Sequence, residues 1–479
     1  MKRNLRFMAA IVMVLALAAL WPTSLISAQE ATETMEINTA QDLLLFAEEV
    51  NSGNTTLNAD LAADLDLSDI CNESSGSWTP IREYEGTFNG NGHVIHGLYC
   101  VLPEESLAGL FGSASGDSHI KDLNMEDVHV EGNKYAAGVV ANSWGEVSGC
   151  SVSGYVKGKE YAAGVCAASG SVSDCVNYAD VVCDNGEESF TNGRCGGVAG
   201  EVTRYAKNCT NYGTVTGMEW VTAGVIGGTP KSGGSPIRTI ENCFNHGVVD
   251  GYLHAGGVAG YVYNTVIQKC GNDADISGMA YVGGVVSGTS DRKSSCLIIN
   301  CYNKGNLVGK DWGEGNDAIL TGGYDYVDEQ RVGGIVSAFY LCYICNCYSW
   351  GSAQSGTLYR STSAGIAASS DEYHVGICNS YSNMELSNAY GWEPEGIGLD
   401  GTECDNCFYV NGGQSLTGWE TTMEPGQPES WFLDGTVTSS LNSWPTQETD
   451  SSYTECLKEF GAERDEWVQG EFGPVFIWE

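Results

Sequence analysis

Seven histidines, His93, His96, His119, His129, His246, His254 and His374, are where acid–base or metal chemistry would be sought first. A zinc peptidase needs two of them one helical turn apart with a glutamate between, and no His-Glu-x-x-His occurs. His93 and His96 flank a turn and a strand pattern, which suits structural polar residues. Glycoside cleavage needs two carboxylates a few ångströms apart. Asp60, Asp64, Asp66 and Asp69 are spaced as the solvent side of a strand, and no acidic pair stands out among the rest. The Gly pairs recur as corners rather than nucleotide loops, and no Gly-x-Ser-x-Gly elbow stands in the right context. No catalytic residue is therefore assigned, and a non-enzyme is expected. The residues best suited to hold a ligand lie in the insertion from Gly309 to Arg331: Trp312, Tyr324 and Tyr326 beside Asp317 and Asp325. Aromatic rings next to carboxylates make a glycan-binding arrangement, and the acids could instead gather calcium; no other cofactor is implied.

Those insertions must be carried by something, and the carrier is a repeat. A Gly-apolar step recurs at Gly109, Gly138, Gly164, Gly197, Gly224, Gly257, Gly284, Gly334, Gly365 and Gly396, about every thirty residues. A second half centres on Cys150, Cys175, Cys209, Cys243, Cys270, Cys301, Cys347, Cys378 and Cys407. Three residues before the cysteine stands Ile or Val (Val147, Val172, Ile240, Ile267, Ile298, Ile344, Val375). Two after it comes Asn (Asn177, Asn211, Asn245, Asn272, Asn303), and six after it an apolar residue such as Val215, Val249 or Leu307. Short strands separated by tight turns, one coil per repeat, bury these residues only by stacking on neighbours. The expectation is an all-β solenoid of about ten coils with an internal asparagine ladder. Insertions at Cys183–Cys195, Gly227–Arg238, Gly288–Cys296 and Gly309–Arg331 interrupt the period and should decorate one face.

The repeat is flanked on both sides. Residues 1–28 read as a signal peptide: Lys2, Arg3 and Arg6, an apolar run from Phe7 to Leu20, then Ile26-Ser27-Ala28. Residues 29–107 form an N-terminal cap whose helix, from Thr39 to Asn51, is capped by Thr39 with Asp42 three residues on. Such a helix covers the open edge of a first coil. Residues 108–413 are the repeats, and 414–479 a C-terminal cap with a closing strand at Val475–Trp478. The formal net charge of −39 excludes nucleic acid and disfavours a polyanionic partner. Nineteen cysteines leave at least one without an internal partner. Stacked cysteines have parallel Cβ vectors, poor geometry for a disulfide, so the repeated ones should be buried thiols. Cys183 and Cys195, flanking a polar insertion, are expected to be a true pair. Cys404-Asp405-Asn406-Cys407 lacks the second half of a zinc set.

Gly86-Thr87-Phe88-Asn89-Gly90-Asn91-Gly92-His93, the Ala108–Gly112 step and the Gly-Gly-Val…Asn-Cys-x-Asn-x-Gly units resemble the GLUG-motif proteins. These are bacterial secreted and surface proteins, and the repeat also occurs in N-terminal regions of IgA-cleaving metallopeptidases and adhesins. The resemblance covers nearly the whole mature chain and implies a right-handed parallel β-helix. Neither a peptidase domain nor a wall-sorting motif is recognisable, so proteolysis and covalent wall attachment do not carry over. The expected role is an extracellular or cell-surface binding and scaffolding module, an adhesin for a glycan or a host or matrix protein. The rival class is a polysaccharide lyase or glycoside hydrolase, by analogy with other β-helices. No membrane-spanning segment is expected in the mature chain.

Overall fold

One coil shows how the repeat closes on itself. Between residues 254 and 278 five short strands follow one another: His254–Gly256, Ala259–Val262, Thr265–Gln268, Gly271–Asn272 and Ile276–Gly278. Each lies parallel to its counterpart one coil later, so that His254 pairs with Tyr281, Ala259 with Val286 and Ile267 with Ile298. Asn272 pairs with Asn303 and Ile276 with Leu307 in the same way. About ten such turns stack into a parallel β-solenoid. This computed structural model describes residues 34–479 apart from 185–192, 219, 232–236, 290–295, 312–329, 339–341, 357–360, 369–374, 389–393, 395, 399–402, 411–425, 445–456 and 459. The signal-like segment lies outside the described residues, as do Trp312, Asp317, Tyr324, Asp325 and Tyr326.

Two apolar interiors run along the stack. The larger holds Val258, Ile267 and Cys270 and their equivalents in every coil. A smaller one fills the space between the fifth strand and the first strand of the next coil, with Val249, Ile276, Leu307, Val282 and Val332. The asparagine ladder runs as the spacing requires. Asn177 Nδ2 donates to Asn211 Oδ1 at 2.8 Å, Asn211 to Asn245 at 2.8 Å, Asn245 to Asn272 at 2.7 Å and Asn272 to Asn303 at 2.7 Å. Each amide also donates to the carbonyl two residues on, which satisfies a polar group that would be costly to bury alone. The recurrent glycines make room for it: a Cβ on Gly164 would stand 1.8 Å from Asn177 Oδ1, and one on Gly197 2.3 Å from Asn211 Oδ1.

A second ladder has no counterpart in the sequence reading. From Cys175 onward the residue just before the cysteine position of each coil turns the corner with positive φ: Asp174, Asn208, Asn242, Lys269, Asn300, Asn346, Asn379 (which precedes Ser380) and Asn406, all between 49° and 55°. Asn and Asp tolerate this left-handed conformation better than other non-glycine residues. Their amides pair along the corner as well, Asn346 to Asn300 at 2.7 Å, Asn379 to Asn346 at 2.7 Å and Asn406 to Asn379 at 2.6 Å.

This corner corrects the register expected near Cys378. Tyr348 pairs with Tyr381, so the residue opposite Cys347 is Ser380, while Cys378 pairs with Cys345 and Ile377, not Val375, continues the row of Ile344. Ser380 Oγ donates to the carbonyl two residues back at 2.8 Å, as the ladder thiols do; Cys270 Sγ reaches the equivalent carbonyl at 3.1 Å. A small side chain with one donor is what the site requires, and serine meets it. The expected Cys183–Cys195 bridge is absent. Both side chains point into the small interior with Ala162, Val181 and Val215. There Cys183 donates to the Glu160 carbonyl at 3.2 Å and Cys195 to that of Thr216 at 3.7 Å. All eighteen described cysteines are buried outside any disulfide.

The ends are closed by different means. Helix Ala40–Asn51 has the expected capping box at Thr39 and Asp42, and buries Leu43, Phe46, Ala47 and Val50. Phe46 packs edge-on against Tyr84 at 5.8 Å and against Phe88 at 5.6 Å, so the helix covers the first coil. Near the other terminus, helices Glu429–Leu433 and Thr436–Ser443 and the hairpin of Trp467–Gln469 with Pro474–Phe476 fold back along the side of the stack. Phe432, Leu441, Trp467 and Phe476 pack over the column Tyr302, Tyr348, Tyr381 and Phe408, whose tyrosine rings stack 5.5 and 5.3 Å apart. Asn300 Nδ2 and Asn346 Nδ2 donate to the carbonyls of Glu463 and Asp465, which fixes this segment to the left-handed corner.

Candidate functional site

The first strands of successive coils put one side chain per coil into a single outer row: Tyr135, Tyr161, Arg194, Val221, His254, Tyr281 and Arg331. Large groups fill it except at Val221. The parallel row in the second strands runs Glu201, Gly228, Tyr261, Gly288, and its first gap, Gly228, falls on the same coil as Val221. Two small residues side by side leave a notch of about 280 Å³, lined by Tyr161, Arg194, Trp220, Val221, Lys231, Tyr261 and Tyr263. That is near the lower end of the roughly 300–1,000 Å³ common for small-molecule sites, room for one or two ring-sized units.

Its walls are held from behind. Tyr161 is stacked on Tyr135 with ring centres 4.7 Å apart. Burial, and next the nearby Glu201 carboxylate, push its phenol up to about 12, so it faces the notch as a neutral hydroxyl. Arg194 donates Nη1 to the Thr229 carbonyl at 2.7 Å, and its Nε lies 3.4 Å from Glu201 Oε2. The guanidinium crosses Gly228, where a Cβ would be 2.5 Å from Nη1. The Trp220 ring is 6.3 Å from Tyr261 and 6.4 Å from His254. His254 Nδ1 is 2.9 Å from Ser287 Oγ, which donates its own proton to the Tyr281 carbonyl; the imidazole therefore carries its proton on Nδ1. Burial takes the His254 pKa down to about 3, so it is an uncharged support behind Trp220 and Tyr261. Arg238, only 1% exposed, lies behind the rim and donates to the carbonyls of Thr203 at 3.2 Å and Tyr263 at 2.9 Å.

The arrangement can stack a ring between aromatic faces and hydrogen-bond its edge through Arg194, Lys231 and the tyrosine hydroxyls. The sequence reading did not single out these residues. Two signals bore on them: the insertions Cys183–Cys195 and Gly227–Arg238, which contain Arg194 and Lys231, and the coincidence of Val221 with Gly228 once the strands are aligned. All four insertions leave the stack at two corners, after the fifth strand or after the second, and the strands between those corners carry the notch. Among the described residues no group of three or more His, Cys, Asp and Glu side chains could hold a metal ion. Cys404 and Cys407 stand opposite Ile377 and Ser380, and both thiols are buried in the larger interior.

No family model matches this chain. Over 109 residues it is 31% identical to halomucin of Haloquadratum walsbyi, a stretch that makes up 22% of this chain and 1% of halomucin. Among solved structures it is similar to a "putative immunoglobulin A1 protease" from Bacteroides ovatus, with a TM-score of 0.40 and 14% identity over 94% of each chain. No described helix is long and apolar enough to cross a membrane.

Proposed function

We propose that this chain is a secreted or cell-surface β-solenoid that binds a glycan in the notch over Val221 and Gly228. The notch carries the reading: four aromatic side chains and two cations converge on a concavity of sugar size. The signal-like N-terminus and the resemblance to GLUG-motif surface proteins support an extracellular place for it. Among the described residues its lining includes no carboxylate, which favours holding a sugar over cleaving one by a two-carboxylate mechanism. The finer role is adhesion, with the stacked coils as the scaffold.

The test is a glycan array with the mature chain beside a Val221→Trp variant, whose indole fills the gap. Binding to a defined set of glycans that the variant loses is the expected result. An array with no binding, binding that survives in Val221→Trp, or release of reducing ends from a polysaccharide would each sink the reading.

A further inference from the structure

Cations are scarce in this protein, 22 Lys and Arg against 61 Asp and Glu, so where they gather is informative. Arg194 and Lys231 line the notch, and Arg238 lies directly behind its Tyr263 rim. Among the described residues Glu201 contacts this group through Arg194. Both arginines feel it. Burial first lowers the Arg238 pKa, Glu201 then opposes that shift, and Arg194 adds to it. Among the described residues Arg194, Lys231 and Arg238 gather at the notch, with Glu201 against Arg194 and Glu160 farther out beside Tyr161, a concentration of cations unusual in so acidic a chain. The contacts of Arg194 to Thr229 and Glu201 use Nη1 and Nε, which leaves the Nη2 hydrogens of its five N–H donors for a ligand.

Resting on the glycan reading above, we infer that the notch selects a terminal sugar bearing a single carboxylate, paired with Arg194 and Lys231 while its ring lies against the aromatic walls. The range of the forces sets the size of the ligand. Charges act over a Debye length of about 8 Å in physiological salt, so one carboxylate inside the notch meets mainly its cations. A polyanionic chain laid along the solenoid would leave that radius and meet a molecule of net charge −39. The acidic group must therefore be presented end-on, from a chain terminus.

The experiment is calorimetric titration of the mature protein with three methyl glycosides: of glucose, of glucuronic acid and of N-acetylneuraminic acid. Wild type, Lys231→Gln, Arg194→Gln and Arg194→Lys are compared, with circular dichroism to confirm that each variant is folded. Charge-assisted hydrogen bonds predict that one acidic sugar binds about tenfold or more tighter than the glucoside, an advantage that shrinks at high salt and in both Gln variants. Arg194→Lys should recover only part of it, because the fork is lost while the charge stays. Which acidic sugar wins identifies the source of the carboxylate. Equal affinity for the neutral glucoside, or a preference untouched by Lys231→Gln and Arg194→Gln, overturns the acidic selection and leaves the glycan reading standing. If none of the three binds and the array is also silent, both fall.

Discussion

The glycine rows are the strictest positions in this protein. A Cβ on Gly257 would lie 2.0 Å from the Gly284 carbonyl oxygen and 2.7 Å from Asn272, inside the contact distance of both. Gly257→Ala should cost about 1–3 kcal/mol through overpacking and a disturbed amide ladder. Gly116→Ala, where a Cβ would meet nothing within 4 Å, should be close to neutral. Urea denaturation of the two variants beside wild type checks this; equal midpoints would mean that the glycine row is not held by the ladder. Asn272 shows the complementary requirement: its amide is shared between Ala274, Asn245 and Asn303, so it has no spare partner when a neighbour moves.

Among the rows, that of the thiols has a consequence for pH. Burial is the main cause that pushes Cys175, Cys209, Cys243, Cys270 and Cys301 well above the ordinary 9.0. Above pH 9 the unfolded chain gives up these protons while the folded one keeps them. Stability from the row is therefore complete below pH 9 and is lost as pH rises, by about 1.4 kcal/mol per thiol per pH unit. Unfolding free energy measured from pH 8 to 11 should fall steeply, and a Cys243→Ala, Cys270→Ala double variant should lose two thiols' share of that slope. A slope the same in both proteins would show that the thiols are not buried in the folded state. The left-handed corner is the element most easily overlooked. Its Asn-Cys dipeptides at 208, 242, 300, 346 and 406 are legible in the sequence, and Asn379-Ser380 continues their row where cysteine spacing alone points two residues too early.

In the folded unit as a whole, the segment near the C-terminus does more than close an end. Trp467 is 2% exposed, stacked 4.5 Å from Phe476 and set 5.7 Å from Tyr381, so it joins the segment to the tyrosine column. Trp467→Ala should cost about 3–5 kcal/mol of that attachment. Limited proteolysis is expected to cut the variant within 426–479 while the β-sheet circular dichroism of the stack persists. Loss of both together would show that the stack depends on its cover. The segment reaches back to Phe244, on the coil that carries Val221, where the Trp478 ring is 6.0 Å away; the notch belongs to the first and second strands of that coil, and Phe244 to the fourth.

The sequence alone determined the repeat, the capped helix before it and the asparagine ladder. Each rests on local spacing: a period of about thirty residues, an i to i+3 capping box, and one amide per coil. It also marked where the chain leaves the stack. Only the tertiary structure decided which residues from different coils stand side by side. Val221 and Gly228 are unremarkable in order, yet stacking places both gaps on one coil and brings Tyr161, Arg194 and Tyr261 around them from three different coils. A site made by what two rows omit leaves no motif, because its residues are related by register and not by sequence distance.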